Sequence, residues 1–216
     1  MVAHVYNPLA YAHVAHDTYL KKYGSKQRRV IFLGMNPGPY GMMQVGVPFG
    51  EVNFVRDWLG ITEGVNPPKS QHPKRLIEGF ECNRSEVSGK RFWGWARERW
   101  QTADAFFADC FVLNYCPLIF LEESGKNITP DKLTAVERQQ LEAVCDEHLR
   151  EAVAILEPDW CIGIGAFAKK RLEIALEPSL NRKIAQILHP SPQSPQANKG
   201  WSQAVDITLA DLGVFA

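Results

Sequence analysis

The sequence predicts an α/β domain built on a short, mostly parallel sheet with helices over both of its faces. Two observations predict it. Four short apolar runs recur along the chain, at 30–33 (Val-Ile-Phe-Leu), 110–113 (Cys-Phe-Val-Leu), 160–164 (Trp-Cys-Ile-Gly-Ile) and 184–188 (Ile-Ala-Gln-Ile-Leu), and continuous apolar runs of this length mark strands buried on both faces. Stretches of helical character separate or follow them, at 88–100, 133–156, 166–176 and about 195–212, and strands alternating with helices give a parallel sheet with crossover connections. The chain has 216 residues, 45% of them hydrophobic and 22% charged, enough to enclose one substantial core. No repeat or low-complexity linker breaks the pattern, so 1–216 reads as a single domain.

Taken in order, Tyr6 to about Tyr23 has helical character, and Lys26-Gln27-Arg28-Arg29 leads into the first strand, which ends at Gly34. The segment Met35 to Gly50 is too rich in glycine and proline for a regular element and reads as a shaped loop. Two other irregular segments also follow strands: NYCPLIF after the second and HPSPQSPQANKGW after the last. Parallel sheets bind ligands beyond the carboxyl ends of their strands, so these three segments are expected to converge on one rim.

Composition narrows the chemistry. Twenty-four Lys and Arg balance 24 Asp and Glu, so no overall positive field points to nucleic acid, and any phosphate contacts must come from local clusters. Those clusters are Lys74-Arg75, Lys90-Arg91 with Arg97 and Arg99, Lys169-Lys170-Arg171, and Arg182-Lys183; each could equally be a solvated helix face. The cysteines Cys82, Cys110, Cys116, Cys145 and Cys161 form no CxxC pair and sit mostly in apolar stretches, as reduced, buried thiols do. With histidines scattered as well, no metal is expected. No basic and apolar leader opens the chain and no run approaches the ~20 apolar residues that span a bilayer, so an intracellular protein without membrane contact is expected.

The motifs are more specific than the composition. GMNPGPYGMMQVGVPFGEV at 34–52, RDWLGI at 56–61, HPKR at 72–75, SEVSGKRFWG at 85–94, FVLNYCPL at 111–118, SGKNITP at 124–130 and HPSPQSPQANKGW at 189–201 together resemble the single-strand-selective monofunctional uracil-DNA glycosylase family, within the wider uracil-DNA glycosylase superfamily. The resemblance runs over most of the chain from about residue 30. It implies a three-layer α/β/α sandwich around a short parallel sheet, action on uracil-containing DNA, single- or double-stranded, and no cofactor. The iron-sulfur branch of the superfamily carries a glutamate in its first motif and four clustered cysteines, which are absent here; another branch has a water-activating aspartate where this chain has Asn36.

Cleaving an N-glycosidic bond requires stabilising the anionic leaving base, placing a water and holding the base still. The resemblance assigns His189 to the leaving-group anion, Asn36 to the water and Asn114 to the O4 and N3–H edge of uracil, whose donor and acceptor pattern cytosine reverses. It further implies that Phe49 stacks on the base, that backbone amides near Met35 and Phe49 bind it, and that the loop of Gly38 and Met42 leaves room at the 5-position. Oxidised uracils such as 5-hydroxymethyluracil would then be substrates, and thymine would not. Pro192-Gln193-Ser194-Pro195 has the position of a wedge that enters DNA as the base leaves, with Gln193 standing where some relatives carry arginine; Ser191 is expected at the DNA beside it, and Lys199 and Gly200 at phosphates. A monomer is expected, because a long polymer must pass over an open face, in the cytoplasm or nucleoid of a bacterium or the nucleus of a eukaryote. Two rival readings are a binding module of the same fold without catalysis, and a nucleotide-processing enzyme whose glycine-rich loop cradles phosphate. The second is poorly supported, since the loop has neither GxxxxGK[ST] nor GxGxxG spacing.

Overall fold

The computed structural model describes residues 1–62, 64–176 and 182–215. In chain order its strands are β1 His4–Tyr6, β2 Val30–Gly34, β3 Cys110–Asn114, β4 Ile119–Leu121, β5 Asn127–Ile128, β6 Trp160–Ile164 and β7 Lys183–Ile187. Its helices are α1 Pro8–Tyr11, α2 His13–Tyr23, α3 Met42–Val45, α4 Val52–Asp57, α5 Val87–Trp100, α6 Ala103–Asp109, α7 Ala135–Leu156, α8 Ala166–Ala175 and α9 Trp201–Asp211.

The four apolar runs form one parallel sheet in the order β3-β2-β6-β7. Every residue of β2, β3 and β6 is buried, which is why those segments read as unbroken apolar runs rather than alternating ones. β7 lies at the edge and alternates, with Lys183 and Gln186 exposed. Phe32 of β2 packs edge-on against Phe92 and Trp95 of α5, with ring centroids 5.5 and 5.8 Å apart, and lies 6.3 Å from Phe106 of α6. The α8 helix packs on β6 and β7 and against α7.

A second, antiparallel sheet in the order β1-β4-β5 was not legible in the sequence. Its strands span two or three residues, too few for a period of two to declare itself. The stretch from Tyr6 to Tyr23 is correspondingly not one helix: β1 comes first, Asn7 caps α1 by accepting from the Leu9 N–H at 3.0 Å, and α2 follows. The glycine-rich loop contains the single turn α3, α4 and α6 are additional to the expected helices, and the last helix starts only at Trp201, after an irregular 190s segment and a 3₁₀ turn at Ala197–Lys199.

Candidate active site

The carboxyl ends of β2, β3 and β7 open onto one cleft of about 630 Å³. Met35, Asn36, Gly38, Met42, Phe49, Asn114, His189, Ser191, Pro192 and Gln193 all line it, so the three irregular segments do meet on one rim. Backbone bonds from Tyr115 N–H to the Gly34 carbonyl and from Cys116 N–H to the Met35 carbonyl, both 2.9 Å, tie the β2 and β3 exits together beyond the sheet.

His189 is held by its own turn. The backbone N–H of Ser191 donates to its Nδ1 at 3.0 Å, so the neutral ring carries its proton on Nε2. Burial lowers the pKa of the imidazole below the ordinary histidine value, because a charged ring would lose solvation. Gly165, at φ 89°, lies directly beneath: a Cβ there would stand 3.2 Å from that of His189.

Asn36 is partly buried, and its Nδ2 donates to the Pro37 carbonyl at 3.4 Å. Asn114 is 7% exposed, and its Nδ2 donates to Met42 Sδ at 3.3 Å. A thioether is a weak acceptor, so this donor can be given up to a better partner at little cost. Phe49 adopts φ 54°, a left-handed conformation that costs a residue other than glycine about 1–3 kcal/mol. Its carbonyl is fixed by the Trp93 Nε1–H at 3.1 Å and the Glu51 N–H at 2.7 Å, and its ring stacks on Phe92 with centroids 5.2 Å apart. Gly34 completes the floor, since a Cβ there would come within 2.3 Å of Asn114 Oδ1 and 2.6 Å of Phe49 Cε2.

Three of the expected residues do not line the cleft. Ser194 accepts from the Ala197 N–H at 3.3 Å and shapes the turn that follows, Lys199 ends the 3₁₀ turn and is exposed, and Gly200 precedes α9 at φ 137°. Other residues reached the cleft without a role having been read for them. Glu86 packs against the first loop so closely that a Cβ on Gly38 would stand 2.2 Å from its Oε2; burial pushes its carboxyl up, opposed by the backbone N–H groups of Tyr40 and Ser88. Asn127 donates from Nδ2 to the Pro37 carbonyl at 3.4 Å, and its buried Oδ1 has no hydrogen-bond partner among the described residues. Both lie in motifs noted above, SEVSG and SGKNITP, whose polar residues were the available signal.

Several basic clusters are structural. Arg171 is buried and paired with Asp146 and, at 3.1 Å, with Glu142. Arg182 donates to the Pro158 carbonyl at 2.7 Å. Arg91 clips the 190s segment, donating to the carbonyls of Pro190 (3.1 Å) and Ser191 (3.3 Å) and to Asn198 Oδ1 (2.8 Å). The five cysteines are buried and free. Among the described residues, no group of three or more His, Cys, Asp or Glu is placed to hold a metal, and no helix is long and apolar enough to cross a membrane.

The model of the Uracil DNA glycosylase superfamily matches residues 21–213. The single-strand selective monofunctional uracil DNA glycosylase of Bos taurus is 48% identical over 216 residues, covering 100% of this chain and 79% of its own length, and that of Rattus norvegicus is 49% identical over 214 residues, covering 98% and 76%. The crystal structure of wild-type Pedobacter heparinus SMUG2 superposes with a TM-score of 0.72 at 20% identity over 98% of this chain and 87% of that one, a likeness of fold. The chain therefore belongs to the uracil DNA glycosylase superfamily and, within it, to the single-strand selective monofunctional uracil-DNA glycosylases.

Proposed function

We propose that the protein excises uracil from DNA by hydrolysing the N-glycosidic bond, leaving an abasic site and using no cofactor. The observation that carries this reading is the meeting of Asn36, Asn114 and His189 in one cleft, with the Nδ1 of His189 already occupied by the Ser191 N–H. The remaining ring proton, on Nε2, is the donor for uracil O2. As the C1′–N1 bond breaks, its electron pair passes to the base, and a fixed donor aimed at the resulting anion stabilises the transition state more than the ground state.

Asn36 orients the attacking water toward C1′. An amide takes up a proton poorly, so Asn36 contributes through position, and the water's proton passes to solvent as the C1′–O bond forms. Asn114 turns its Nδ2 from Met42 to uracil O4 and accepts N3–H on Oδ1. Phe49 stacks on the base, whose other polar edge meets the backbone amides near Met35 and Phe49. The 5-position faces Gly38 and Met42, which gives 5-hydroxymethyluracil a place and leaves the thymine methyl without a hydrogen-bonding equivalent for the water it displaces.

In the same reading Pro192 and Gln193, both exposed at the mouth of the cleft, fill the gap in the stack as the base swings out, and Lys199 and the Gly200 backbone meet phosphates. The uncharged Gln193 adds no electrostatic hold of its own at that step, and a preference for single strands, which the relatives' names state, belongs to this reading on their likeness alone. The enzyme acts as a monomer. Among the described residues no lysine lines the cleft, so neither a Schiff base nor strand cleavage by the enzyme is part of the proposed mechanism.

An oligonucleotide with one uracil, treated with the protein and then alkali, tests this reading. A break at uracil and none at a matched thymine is expected. Tight binding with no release of base would replace the enzyme by a binding module of the same fold.

A further inference from the structure

A chain with no net charge must hold a polyanion with local cations, and most of the basic clusters are already committed within the fold. Arg171, Arg182 and Arg91 are tied to carboxylates or carbonyls, Lys169 pairs with Glu173 at 2.7 Å, Arg99 with Asp206 at 3.3 Å, and Lys183 lies over the Trp160 ring at 5.0 Å.

Beside the cleft the situation differs. Lys74, Arg75 and Arg84 line a concavity of about 250 Å³ that also includes Tyr40, and Tyr40 lines the catalytic cleft as well, so the two spaces share that residue as a wall. The Arg84 guanidinium lies 4.5 Å from the centroid of the Tyr40 ring and donates to its hydroxyl, and that of Arg75 lies 5.7 Å from the same centroid and donates to the neighbouring Lys74 carbonyl at 3.0 Å. Lys74 and Arg84 are exposed. Glu78 also lines the concavity, yet among the described residues none of the three cations has a carboxylate within ion-pairing distance. The segment that carries two of them is anchored by Tyr6 of β1, whose hydroxyl donates to the Arg75 carbonyl at 2.7 Å and accepts from the His72 N–H at 2.7 Å. The second sheet thus fixes a basic rim at the mouth of the cleft.

We propose that Lys74, Arg75 and Arg84 form a phosphate subsite that holds a backbone phosphodiester of the DNA strand whose base enters the cleft. This inference rests on the reading of the cleft as a uracil-DNA site. Three cations without carboxylate partners, two of them planar forks held against an aromatic ring, suit the tetrahedral oxygens of a phosphodiester. A backbone contact carries no base information, so the subsite sets affinity and its salt dependence and leaves the choice of base to Asn114.

The test uses the full chain and a labelled single-stranded oligonucleotide carrying 2′-fluoro-2′-deoxyuridine, whose fluorine destabilises the cationic sugar and blocks cleavage. Affinity is measured against salt concentration for wild type and for Lys74→Ala/Arg84→Ala. Loss of the hold on this one phosphodiester is expected to flatten the slope of log affinity against log salt by about 0.7, the value per phosphate on a single strand, and to weaken binding several-fold at moderate salt. An unchanged slope overturns the proposal. So does a variant that loses inhibition by inorganic phosphate but keeps the wild-type DNA slope, since the site would then serve a free anion. If the double variant does not fold, Lys74→Gln alone, at an exposed side chain, is expected to remove about half the slope change, and an unchanged slope there counts equally against the subsite. A flattened slope in a protein that never releases uracil would leave the subsite standing and remove the catalytic reading; uracil release with an unchanged slope would do the reverse.

Discussion

The backbone N–H of Ser191 donates to His189 Nδ1 across 3.0 Å, and this one bond fixes which ring nitrogen faces the cleft with a proton. Burial also holds the ring's pKa below the ordinary histidine value. The acid limb of the excision rate is therefore expected to lie below about pH 6.5, and NMR of the labelled ring should show the Nε2–H tautomer at neutral pH. The folded ring binds its proton less tightly than the unfolded one, so the unfolded chain takes up more protons as pH falls through and below about 6.5. Stability should therefore fall with pH across that window, and His189→Ala should lose less melting temperature than wild type between pH 7 and pH 5. An imidazole that titrates above the usual value would contradict the neutral-donor mechanism.

Gly34 is where the cleft tolerates no side chain. With its Cβ 2.3 Å from Asn114 Oδ1 and 2.6 Å from the Phe49 ring, Gly34→Ala is expected to displace the edge reader and the stacking ring together. Overpacking of this kind costs roughly 1–3 kcal/mol, so the variant should fold with a lowered melting temperature. Its uracil excision should drop at least about tenfold, mainly through weaker substrate binding. Wild-type activity in Gly34→Ala would show that Asn114 and Phe49 are not placed by this contact.

Arg91 separates a positioning role from a phosphate role. Its bonds to Pro190, Ser191 and Asn198 hold the segment that carries His189, so Arg91→Ala should lower the single-turnover rate about tenfold while leaving the salt slope of DNA binding unchanged. Arg91→Lys should restore little, because one ammonium cannot reproduce the fork. A flattened salt slope would return Arg91 to the phosphate contacts.

Arg171 shows the opposite behaviour to a surface cation. It is 7% exposed and sits between Glu142 and Asp146, so Arg171→Met leaves two partly buried carboxylates unpaired, a change that costs about 3–5 kcal/mol. Denaturant unfolding should show a loss of that size, with activity per folded molecule preserved. A loss below about 1 kcal/mol would mean that the pair is solvated.

The parallel sheet was legible because burial on both faces writes itself as continuous apolar runs: Trp160–Ile164 was read to the residue, and Val30–Gly34 and Cys110–Asn114 to within one. The site was legible because its residues follow those strands in motifs of unusual composition. The second sheet was not, since β5 has only Asn127 and Ile128 and pairing of so few residues is decided by tertiary contacts such as those of the Tyr6 hydroxyl. Glu86 and Asn127 were seen only as motif letters, because what gives them a place is the approach of their loops to Gly38 and Pro37, which no periodicity encodes. The basic clusters stayed open for a related reason: an arginine in a helix reads the same whether its partner is water, as on a solvated face, or Asp146.

Asn36 and His189 are assigned to one bond within a single cleft, and this is tested most directly by single-turnover excision of uracil from a single-stranded oligonucleotide with His189→Ala and Asn36→Ala. Each variant should fold as wild type does and lose about 10²–10³ in rate, the size of effect that follows removal of one preorganised donor, with binding of the uncleaved oligonucleotide nearly unchanged. Retention of wild-type rate by either variant would contradict the role assigned to that residue, and retention by both would move the chemistry out of this cleft.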